Sequence, residues 1–127
     1  LNMANDMITI FNNHLVEFID DLIILFPHDR DVWKGKLYVK SINLVSPSLN
    51  IRTWYDYTKP YKDQIDNGDI SYFLNAEYSK DAKNCSETSS LLDKVKRTVK
   101  ELKKENLRKA VQYIQNLTKL SFHYHSI

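Results

Sequence analysis

The chain has 127 residues, 43% of them hydrophobic and 12% aromatic, and a formal net charge of +2. That length suits one domain spanning residues 1–127, with a sizeable buried core and no room for a second one, and the apolar content excludes disorder as a description of the whole. Two glycines and three prolines are too few for a turn-rich β-sandwich, and a lone cysteine, Cys85, excludes an intramolecular disulfide framework.

The first helix is expected from about Asn5 to Phe26. Ile8, Phe11, Leu15, Phe18, Leu22 and Leu25 recur at steps of three and four, which sets them on one helical stripe that Ile19 and Phe26 widen. Asn5 or Asp6 can cap its start, and Pro27 stops it by forcing the preceding residue out of the α region. Glu17, Asp20 and Asp21 make the opposite face acidic. Asp29 can cap a second helix over Arg30 to Val45, with Trp33, Leu37, Tyr38, Ile42 and Val45 as its apolar face and Gly35 as a weak point.

Ser46-Pro47 reads as a cap followed by proline at the first position of a third helix. That helix carries Leu49, Trp54, Tyr55 and Tyr57, should kink near Pro60, and continues its apolar face in Tyr61 and Ile65. Asn67-Gly68 reads as a helix end. Asp69 can then cap a short helix through about Tyr78, with Ile70, Phe73 and Leu74 inward. The aperiodic polar stretch Ser79 to Ser90 is expected to be an exposed loop. Beyond it, Leu92, Val95, Val99 and Leu102 form one stripe, and Leu107, Ala110, Val111, Ile114, Leu117 and Leu120 or Ser121 another. The five-residue step from Leu102 to Leu107 turns the stripe by more than a third of a turn, so the helix either breaks near residues 103–106 or twists to serve two different neighbours. The expected fold is all-α: a compact single domain of five or six helices.

Charge is unevenly spread. Residues 1–81 hold twelve acids and eight bases, while residues 82–127 hold four acids and ten bases. The basic part could meet phosphate, an acidic protein surface, or the acidic part of its own chain.

Three stretches, FNNHLVEFIDDLIILFP, SPSLNIRTWYDYTKPYKDQIDNGDISYFLNAEYSKD and KAVQYIQNLTKLS, resemble small helical proteins encoded by giant nucleocytoplasmic large DNA viruses of algae and protists. The resemblance covers most of the chain outside Asn84 to Ser90. It implies a viral protein made in the host cytoplasm and packaged in the virion, with no catalytic residues to transfer. Such proteins often have a serine cap ahead of the final helix; its lack in Leu102 to Asn106 weighs against a break there.

The residues offer little for catalysis, which needs convergent groups with tuned pKa values. His123 and His125, two apart, fall on different helix faces and read as a frayed end, not as zinc ligands. His14 reads as packing at the edge of the first stripe. Asp29 and Asp31 read as helix-start carboxylates, not as a magnesium site. Gly35 and Gly68 alone cannot build a phosphate loop. No enzyme activity, metal or cofactor is expected, and neither a secretory leader nor a membrane span.

Two surfaces stand out. Trp54, Tyr55, Tyr57 and Tyr61 are a candidate protein interface, since such side chains suit sites with one buried and one wet end. Core packing is the plainer account of about half of the aromatics, and Tyr55 and Tyr57 cannot both face one core. Lys96, Arg97, Lys100, Lys103, Lys104 and Arg108 are a candidate contact for nucleic acid or an acidic partner, against the plainer reading of a solvated helix face. The expected function is that of a non-catalytic structural or adaptor protein, a minor capsid or virion component that binds other viral proteins or itself. The alternative is a nucleic-acid-associated accessory protein of viral replication or transcription.

Overall fold

The computed structural model of the chain describes residues 2–76 and 87–127, without the side chains of 87–89 and 91. Within these residues every regular element is helical. They are α1 (Met3–Leu25), α2 (Arg30–Val45), α3 (Leu49–Thr58), a 3-10 turn (Lys59–Tyr61), α4 (Lys62–Asp66), α5 (Ser71–Asn75), α6 (Glu87–Lys100) and α7 (Lys104–Ser126). Since α3, the 3-10 turn and α4 follow one another without a gap, the described chain makes six helical rods, in the expected all-α class.

Local chemistry explains most of the boundaries. α1 starts earlier than the Asn5 or Asp6 cap expected, because the Asn2 side chain accepts from the backbone N–H groups of Ala4 and Asn5 at 3.0 and 3.3 Å. Asp29 caps α2 as expected, accepting from Asp31 and Val32 at 2.9 and 3.3 Å. Ser46 does not cap α3. Its N–H closes α2 on the Ile42 carbonyl, and its own carbonyl accepts from Leu49, so Pro47 sits in the turn and the helix starts at Leu49. Pro60 converts the backbone to the 3-10 turn.

α4 ends in a Schellman motif. Gly68 has φ of +84°, its N–H reaches the Ile65 carbonyl, and the Asp69 N–H reaches that of Gln64. Asp69 then accepts from the backbone and hydroxyl of Ser71. Those two bonds hold its carboxyl below the ordinary carboxylate range. α5 ends at Asn75, short of the Tyr78 expected, and residues 77–86 lie outside the described residues. The expected loop is corrected at its far end: residues 87–90 belong to α6.

A break does separate α6 from α7, at Glu101–Lys103. It forms without the serine cap, and Lys103 offers no side-chain hydrogen bond in its place. The N–H groups of Glu101 and Leu102 reach back three residues to close α6, which tightens its last turn.

α7 lies along α1 and α3, and α2 packs against α1 and α6. The core is one cluster with Phe11, Leu22, Ile51, Ile65, Phe73, Ile114 and Leu117 fully enclosed. Burying one such side chain contributes roughly 1.5–3 kcal/mol. The α1 stripe is shifted from the expected one: Met7 and Ile23 are buried beside Phe11, Leu15, Phe18, Ile19 and Leu22, while Leu25 is exposed. The Asn12 side chain donates to the Pro47 carbonyl at 2.9 Å and ties α1 to the α2–α3 turn.

Candidate functional site

The aromatic group expected as an interface is largely core. Trp54 and Tyr57 are buried, at 8% and 9% exposure. The Trp54 ring packs edge-on to Phe11 and tilted to Phe73, with centroids 6.1 and 5.7 Å apart, and its Nε1 donates to Thr118 Oγ1 at 3.0 Å. Tyr61 is half-buried against the same cluster. Tyr55, on the other side of α3 from Tyr57, stacks on His125 at a centroid distance of 3.8 Å and an interplanar angle of 14°, and lies 4.8 Å from the Phe122 ring. The expectation that Tyr55 and Tyr57 face different ways therefore holds, and half-buried Tyr55 packs on α7. The same stack corrects the frayed end: α7 is helical through Ser126, and His125 Nδ1 lies 2.7 Å from the Ser121 carbonyl.

The basic group is split. Lys96 is 3% exposed and cannot meet a partner. Its Nζ donates to the Phe73 carbonyl at 3.1 Å and to that of Ala76, lies 3.4 Å from Asp93 Oδ1, and sits over the Phe73 ring. A buried ammonium is costly unless paired, and here it caps the negative end of α5. The spacing held the signal, since Leu92, Lys96 and Val99 fall at i, i+4 and i+7 on the apolar stripe. Arg97, Lys100, Lys103, Lys104 and Arg108 are all exposed and gather at the α6–α7 corner. Glu101 and Glu105 are exposed among them, and Arg108 pairs with Glu105 at 2.6 Å. Lys94 instead pairs within the fold, 3.8 Å from Asp31 of α2.

The largest departure is on α2. Its inward side is Val32 and Gly35, both buried, with half-buried Val39 and Ile42. Trp33, Leu37 and Val45, expected in the core, are 44%, 66% and 81% exposed, and Leu44 is 87% exposed. Trp33, Leu37 and Leu44, at i, i+4 and i+11, lie within about 40° of one line along the helix. Exposed Lys40 lies on that line and exposed Lys34 beside it. Trp33 is held in place, its Nε1 donating to the Pro27 carbonyl at 3.0 Å. Two stripes were present in the sequence, and the smaller one faces inward, where Gly35 lets α6 approach closely. A Cβ built there would lie 3.2 Å from Val95 Cγ2.

Among the described residues no three His, Cys, Asp or Glu side chains converge as a metal site would need, and no helix is long and apolar enough to cross a membrane. His14 packs at the edge of the α1 stripe, its ring 4.8 Å from that of Tyr113. Cys85 lies outside the described residues. The chain matches no protein-family model, no curated protein and no solved structure.

Proposed function

We propose that this chain is a non-catalytic adaptor of a large DNA virus, made in the host cytoplasm and carried as a minor structural component of the virion. In this reading it docks a second viral protein on the outer face of α2. The observation that carries it is the exposed line of Trp33, Leu37 and Leu44 on an ordered, 16-residue helix. Such a line is an anchor set for an apolar groove or ridge, with the fixed tryptophan as its central contact. Lys34 and Lys40 select an acidic rim on the partner. They also disfavour a second copy of this chain, since a two-fold dimer through this face would set like charges against each other. Cross-linking from Lys34 and Lys40 in virus-producing cells, read by mass spectrometry, should reach a capsid protein. The double variant Leu37→Glu, Leu44→Glu should lose that link while keeping its helical content. Links reaching only copies of this chain, or links untouched by the double variant, would overturn the reading.

A second reading rests on the five exposed bases of the α6–α7 corner. They could hold a nucleic-acid backbone through phosphate contacts, without reading sequence. Binding of short DNA or RNA should then fall steeply with salt and vanish in Arg97→Glu, Lys100→Glu, Lys104→Glu. Lys96 is unsuitable for that test, because reversing its charge would disrupt the core. Absence of binding at low salt removes this reading.

A further inference from the structure

Between α2, α3 and α6, and floored by α1, lies a cavity of about 110 Å³ that is partly open to the surface. Its inner wall includes Leu15, Phe18, Ile19 and Trp54, and half-buried Val39 and Thr53 stand at its rim. Native interiors seldom leave voids much larger than a water molecule, and apolar voids of about this size take up benzene or xenon. Water would find few free polar partners in the inner wall, where three of the polar groups are already engaged. Lys96 has two carbonyls and a carboxylate around its ammonium. The Asn50 amide donates to Asn43 Oδ1 at 2.8 Å, and the Trp54 N–H to Thr118.

We propose that this cavity is a binding site for a small, neutral, apolar molecule about the size of one aromatic ring. The presence of Lys96 in the wall would ordinarily suggest an anion. Its ammonium, however, is taken up by Asp93 and the end of α5, so what it offers the cavity is its alkyl chain. The site is separate from the outer face of α2, because the residues of α2 that line it, Gly35, Tyr38 and Val39, are not those of the exposed line.

The test uses benzene and xenon as probes. Benzene should raise the melting temperature of the full chain in a saturable way and shift the methyl resonances of Val39, Leu92 and Val95, and xenon should perturb the same methyls. Val39→Phe and Thr53→Met put bulk into the cavity from its rim, where the helix surface tolerates it. Each should keep the helical spectrum and weaken benzene binding roughly tenfold or more. Benzoate, the same ring with a carboxylate, should bind roughly tenfold or more weakly than benzene. No shift with either probe, or an effect unchanged in both filled variants, would overturn the site. Benzoate binding as well as benzene would overturn its neutral character.

Discussion

Trp54 of α3 donates its indole N–H to the hydroxyl of Thr118 on α7, 64 residues away in sequence and 3.0 Å away in space. Thr118 in turn donates to the Ile114 carbonyl at 2.7 Å, so its hydroxyl both accepts and donates in the centre of the core. Thr118→Val keeps the volume and leaves a buried N–H without an acceptor. The expected cost is about 1–3 kcal/mol in denaturant unfolding, with Thr118→Ser recovering part of it. A neutral Thr118→Val would mean that the indole finds another acceptor.

Apolar residues on α1 and α2 should respond in opposite ways. Phe18→Ala and Leu22→Ala remove buried side chains and should each cost about 2–5 kcal/mol. Leu37→Glu and Leu44→Glu change exposed ones and should stay within about 0.5 kcal/mol. Equal losses at both sets would place the α2 line inside a contact that the isolated chain makes with itself, and a dimer mass would show it.

Gly35→Ala tests whether the α2–α6 crossing has slack. Alanine gains about 1 kcal/mol of helix propensity over glycine. Its Cβ would crowd Val95 Cγ2 at 3.2 Å, but Val95 lines the cavity and has room to yield by the few tenths of an ångström required. The substitution is therefore expected to raise the melting temperature. A fall would show that Val95 is pinned from behind.

Tyr113 gives the fold a dependence on alkaline pH. Desolvation, then the hydrogen bond it donates to Asp21 at 2.8 Å, then the charges of Asp21 and Glu17, push its phenol up to about 12. The unfolded chain ionises it near pH 10. The folded state thus favours the protonated form, and this contribution is whole below about pH 10 and is lost as pH rises through about 12. Stability measured from neutral to strongly alkaline pH should fall more steeply in that window for the natural chain than for Tyr113→Phe. Parallel curves would count against the coupling.

The parts of the fold that local chemistry sets were legible from residue order alone. Asp29 ahead of α2 and Gly68 after α4 each act within a few positions, whereas the five-residue step after Leu102 left a break and a twist equally open. The direction in which α2 faces was not legible, because two stripes at helical spacing compete there and size favoured Trp33 and Leu37. What bears on it is a close approach to Val95, 60 residues downstream, for which the small Gly35 leaves room. Trp54 and Tyr57 looked like contacts for the same reason: aromatic density marks interfaces and cores alike, and only the position of α7 tells them apart. Among the six bases, the apolar spacing around Lys96 marked it as different, yet its partners lie at Phe73 and Ala76, beyond the reach of any periodicity.

Lys96 also turns the protein into its own recorder of opening. An amine reagent meets Lys100, Lys103 and Lys104 at the surface at once, but reaches the Lys96 nitrogen only in molecules whose α5 and α6 have parted. Its modification should lag theirs by roughly three or more orders of magnitude, the ratio of closed to open chains. The lag, followed residue by residue, would report how often this core comes apart while the fold as a whole stays populated.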